Sequence, residues 1–102
     1  MANTSTVHFF VDKTITAGNV TEQMFSTRTI CVWFAVQNNH ATKTLYVKTS
    51  TADDATNAVA ILPGEYKVVG VLRTGVSPYD LSEYRFFSDT TAHPFMVEYM
   101  KA

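Results

Sequence analysis

A chain of 102 residues with a net charge of −1, 46 % hydrophobic and only 17 % charged, is one domain with apolar mass for a single core. Its eight Lys and Arg are scattered and form no basic cluster, which argues against direct nucleic-acid binding. One cysteine, Cys31, excludes an intrachain disulfide framework and a cysteine-based zinc site.

The charge deficit has a second implication. Ordinary soluble chains are roughly 25 % charged, so this surface is expected to be neutral-polar, with Thr-rich stretches, or covered by partners. The start, MANTSTVHFF, has neither a basic n-region nor a long apolar h-region, so no signal peptide is expected. No run reaches the roughly 20 apolar residues of a membrane span. The expectation is a single domain over residues 1–102 with a polar arm at 1–6, made in a cytosol, with no membrane partner.

In chain order, the first strand-sized run is TVHFFVDKTITA (6–17), broken by Gly18-Asn19. A short VTEQMF (20–25) follows, then the long TRTICVWFAVQ (27–37), ended by Asn38-Asn39. TKTLYVKTS (42–50) is closed by ADDATN (52–57), whose Asp and Asn residues suit a turn. AVAIL (58–62) and EYKVVGVL (65–72) flank Pro63-Gly64, which predicts a hairpin: Pro presets its φ and Gly accepts the left-handed region. TGVSPYD (74–80) reads as a loop, LSEYRFFS (81–88) as a strand, DTTAHP (89–94) as a turn and FMVEYM (95–100) as the last strand. β-branched and aromatic residues dominate these runs. The pattern predicts an all-β fold, an antiparallel, jelly-roll-like β-sandwich of about eight short strands with almost no helix.

Alternation sorts the faces. Leu45 and Val47 share one face of their run and Thr44, Tyr46 and Lys48 the other, as in a half-exposed strand. The run at 30–36 is apolar on both: Ile30, Val32, Phe34 and Val36 against Cys31, Trp33 and Ala35. A two-layer sandwich covers one face of each sheet, so the second needs a loop or another subunit. The adjacent pairs Phe9-Phe10 and Phe86-Phe87 pose the same problem. Strict alternation makes Phe10, Trp33, Tyr46 and Phe87 the candidate protein-interface residues, and a homo-oligomer, trimer or dimer, is expected.

Residues for chemistry are sparse. Cys31 lies in the most apolar run, where a thiol is inert packing. His8, His40 and His93 lie on different runs without HxH or HxxxH spacing; His40 and His93 read as exposed loop residues, and no metal site is expected. Asp53-Asp54 alone is too few oxygens for calcium. The four glycines are isolated, with no phosphate-binding loop or nucleophile elbow; Gly70 reads as a bulge or a close backbone approach. No cofactor and no enzymatic activity are expected. A sugar stacking on Trp33 and the tyrosines is an alternative, although a mid-strand Trp beside Phe34 better fits a core or interface.

The order of segments resembles small virion proteins of tailed bacteriophages. It is carried by Ile15-Thr16-Ala17-Gly18, Glu22-Gln23-Met24, Gln37-Asn38, Leu45-Tyr46-Val47, Leu62-Pro63-Gly64-Glu65 and Tyr99, over roughly residues 13–100. Lys48, where glycine is common, and the long RTGVSPYD segment depart from it. The resemblance implies a structural virion role, most directly a capsid decoration or cement protein whose partner is the major capsid protein or another virion protein. A tail, neck or fibre-base component is the alternative. It implies no catalytic residues.

Overall fold

The computed structural model describes residues 8–72 and 79–101. The polar arm expected at 1–6 and all of the expected loop except Tyr79 and Asp80 lie outside these. The strands are β1 His8–Ile15, β2 Glu22–Gln23, β3 Ile30–Asn38, β4 Leu45–Lys48, β5 Val59–Ile61, β6 Tyr66–Gly70, β7 Tyr79–Asp80, β8 Arg85–Phe87 and β9 His93–Lys101. Among the described residues there is no α-helix, only a 3-10 turn at Leu81–Glu83.

All pairings are antiparallel and fall into two sheets. One has the order β1-β9-β3-β6, with β7 also on β3; the other runs β2-β8-β4-β5. Among the described strands, only β4 with β5 and β6 with β7 are consecutive along the chain and members of one sheet. With β7 set aside, this is the strand order of a jelly roll, two interlocked Greek keys packed face to face. Between the sheets lie Ile15, Phe34, Val36, Leu45, Phe86 and Val97, all fully buried.

Two sequence expectations change at this point. The segments around Pro63-Gly64 do not form a hairpin, because β5 belongs to one sheet and β6 to the other. The turn itself forms: Glu65 N–H donates to Leu62 O at 2.9 Å and Gly64 takes φ +75°, a type II geometry. It is a corner between sheets, since a Pro-Gly pair reverses the chain without dictating which strand each arm joins. Likewise the segment at 81–88 is a strand only over Arg85–Phe87. Asp80 caps the preceding 3-10 turn through Ser82 N–H at 3.0 Å and also accepts from Thr29 N–H at 3.0 Å.

The long apolar strand departs from strict alternation. A register shift between Cys31 and Trp33 against β9 sends Cys31 into the core with Phe34 and Val36, while Trp33 stays half-buried outside it. A bulge adds one residue and reverses the face assignment on one side of it. A second irregularity lies opposite Gly70, where Phe34 pairs with Gly70 and Ala35 already with Val68. A Cβ on Gly70 would sit 2.5 Å and 2.6 Å from two ring carbons of Phe34. Gly70 is therefore both bulge and close approach, as its position in the sequence suggests. Because Phe34 is fully buried and braced edge-on by Tyr79 and Tyr84, its ring cannot yield cheaply. Gly70→Ala is expected to destabilise the domain by about 1–3 kcal/mol, read as a lower urea midpoint at unchanged slope.

Candidate functional site

The residues singled out as interface candidates divide between the two outer faces of the sandwich. On the first sheet the register brings His8, Met100 and Trp33 into one row and Phe10, Glu98, Ala35 and Val68 into the next. Phe10 is 64 % exposed, and His8 lies between it and Trp33, with ring centroids 6.4 Å and 5.5 Å away respectively. Tyr66 and Val68 on edge strand β6 extend the apolar surface. Glu98 stands in the middle, accepting from His8 Nδ1–H at 2.6 Å and from the Tyr66 hydroxyl. Burial and the Glu98 carboxylate push the Tyr66 phenol up to about 12. The Glu98 carboxylate beside Phe10 is thus held by two neighbours.

Tyr46 and Phe87 are on the second sheet, directly opposed across β4 and β8 with ring centroids 6.2 Å apart. Phe87 points away from the core, as alternation predicts, yet it is only 7 % exposed and so is not an open anchor. Lys48 explains part of the cover. Its ammonium lies 5.5 Å from the Phe87 ring, donates to the carbonyls of Ala52 and Asp54, and has a fully buried side chain. A residue expected on a half-exposed face therefore folds back to hold the β4–β5 connection. Tyr46 and Phe87 line a cleft of about 340 Å³ together with Thr42, Lys43, Thr44, Ala55 and Asp89.

At one end of the sandwich a buried polar chain joins the sheets. His93 Nε2 lies 2.7 Å from Asn38 Oδ1, and His93 Nδ1 lies 2.7 Å from Ser88 Oγ. The Asn38 amide nitrogen donates to Lys43 O at 2.8 Å and Ile61 O at 2.9 Å, so its oxygen is the acceptor. Nε2 of His93 therefore carries the proton and Nδ1 accepts from the Ser88 hydroxyl. This corrects the sequence reading of His93 as an exposed loop residue: Asn38, Ser88 and His93 are all fully buried. His40 is half-buried beside it, ring centroids 4.8 Å apart. No sequence spacing announces this meeting, because it arises from the pairing of β3 with β9. The Ser88 hydroxyl and the His93 imidazole are closed off from solvent in this arrangement.

Cys31 is fully buried, and burial raises its thiol to about 11. Among the described residues no group of three or more His, Cys, Asp or Glu is placed to hold a metal ion. In comparison with known proteins, no family model, curated protein or solved structure matches the chain.

Burial, reinforced by the neighbouring His40, pushes His93 down from 6.5 to about 4. In the unfolded chain the imidazole protonates near the upper value, in the native state only near the lower one. Its contribution is complete above pH 6.5 and is lost as pH falls towards 4. The expected loss is on the order of 3 kcal/mol, measured by urea unfolding across that range. The His93 ring resonances in NMR should titrate with a midpoint near 4.

Proposed function

We propose that the protein is a non-enzymatic structural component of a tailed-phage virion, a decoration or cement protein that docks on the outer shell of major capsid protein and stiffens it. The observation that carries this reading is the outer face of the β1-β9-β3-β6 sheet, where Phe10 at 64 % exposure stands beside His8 and Trp33 on a rigid strand frame. A large aromatic held out by paired strands loses little conformational freedom on docking, so more of its burial appears as affinity. The segment resemblance supplies the virion context. Docking through this face, with copies assembling as a dimer or trimer, buries Phe10 and Trp33 and completes the cover that the monomer lacks.

The test pairs the parent protein with Phe10→Ser and Trp33→Ala on phage particles lacking it. The parent should bind such particles and raise their resistance to heat. Phe10 touches little of its own domain, so Phe10→Ser should change folding stability by no more than about 0.5 kcal/mol. Loss of an aromatic anchor costs about 2 kcal/mol at an interface, about thirtyfold in affinity. A folded Phe10→Ser protein that decorates particles like the parent places the interface elsewhere. A parent that is a monodisperse monomer without affinity for shells or tails ends the assembly reading.

A further inference from the structure

The cleft on the other sheet is not used by the docking face, and its lining is chemically specific. Two aromatic rings, Tyr46 and Phe87, lie 6.2 Å apart at 51° to each other. The hydroxyls of Thr42, Thr44 and Tyr46 beside them make no hydrogen bond to any described residue and stand at an exposed or half-buried surface, open to solvent or a ligand. Lys43 and Asp89 face each other with Nζ and Oδ2 at 3.9 Å, both well exposed. That separation makes a weak, solvent-exposed ion pair whose two ends remain open to a ligand.

Each feature narrows the ligand. Unpaired hydroxyls beside aromatic rings suit a molecule with an apolar face and several hydroxyls of its own. One positive and one negative group, already neutralising each other, favour a neutral ligand; a phosphate would meet the Asp89 carboxylate and only one cation. An alkyl chain would strip water from three hydroxyls without replacing their hydrogen bonds. The volume, about 340 Å³, is at the small end of ligand sites.

The geometry points to a binding site for a neutral sugar, one or two pyranose rings long, on the outer face of the β2-β8-β4-β5 sheet. The C–H face of the sugar lies against the half-buried Tyr46 ring, with the buried Phe87 ring behind it as the cleft floor. Ring hydroxyls pair with Thr42, Thr44 and the Tyr46 hydroxyl, and a vicinal diol bridges Lys43 and Asp89. The site is assembled by three separate segments: Thr42 to Tyr46 running into β4, Ala55 in the β4–β5 connection, and Phe87 to Asp89 at the end of β8 and just after it. It stands on the opposite side of the molecule from Phe10 and Trp33, so its failure and that of the docking reading are separately visible.

The test is an amide NMR titration of the full chain with millimolar glucose, galactose, mannose, N-acetylglucosamine and their β1,4-linked disaccharides. Glycerol, glycine and inorganic phosphate serve as controls. At least one sugar should give saturable shifts confined to Thr42–Tyr46, Ala55, Phe87 and Asp89. Asp89→Ala and Tyr46→Phe remove exposed or half-buried polar atoms without disturbing the core, and each should weaken that sugar about tenfold while leaving the unfolding midpoint in place. The proposal is overturned if none of the sugars produces saturable shifts, if the shifts map to the Phe10–Trp33 face, or if glycerol, glycine or phosphate reproduces them. Folded Asp89→Ala and Tyr46→Phe proteins that both bind like the parent overturn it equally.

Discussion

The carboxamide of Asn38 is the point at which the two sheets become one structure. It ends β3 in the first sheet, donates to Ile61 O at the end of β5 in the second and to Lys43 O in the connecting loop, and accepts from His93 at the start of β9. His93 passes the connection to Ser88, just after β8. Each partner is a buried polar group that would cost about 1–3 kcal/mol if left unpaired. The amide thus ties three strand ends directly and a fourth through His93, and no buried side-chain nitrogen or oxygen among the described residues lacks a partner. The loop that carries Thr42, Lys43 and Thr44 to the cleft hangs from the same amide.

A jelly roll passes the chain from sheet to sheet at nearly every connection, so its corners carry as much of the fold as its strands. Here they are held by side chains reaching the backbone. Glu22 accepts from the N–H groups of Thr16 and Ala17 at 2.9 Å each and from the Thr16 hydroxyl at 2.8 Å, tying the β1–β2 corner. Gln37 donates to Gly64 O at 2.8 Å, and Asn38 N–H to Glu65 O at 2.9 Å, locking the Pro-Gly corner to the end of β3. The short motifs that run through the sequence, ITAG with EQM, QN with LPGE, are the two ends of these ties. Their spacing along the chain reflects geometry at the corners rather than chemistry.

The two outer faces differ because their polar groups are spent differently. On the first, Glu98 is satisfied by His8 and Tyr66, so the carboxylate nearest Phe10 is already paired. On the second, Lys48 turns inward to carbonyls of its own loop, and the remaining hydroxyls line a cleft with their demand open. The proposed docking of the first face and the proposed ligand of the second rest on that difference.

Much of this was legible in the residues alone. β-branched and aromatic runs between turn signals determined the all-β class, since they bury well on pleated surfaces and nothing in them repeats at helical spacing. Alternation correctly placed Phe10, Trp33 and Phe87 away from the core. Local rules, however, describe one segment at a time. They could not show that the arms of Pro63-Gly64 enter different sheets, nor that a bulge sends Cys31 inward. Nor could they show that Lys48 and Tyr46 shield Phe87, or that His40 and His93, fifty-three positions apart (93 less 40), meet beside Asn38. Those outcomes depend on which strand lies next to which, and strand pairing is a long-range choice set by the burial of the whole core; residue patterns announce most strands and turns one at a time, while their neighbours follow from how the folded chain packs.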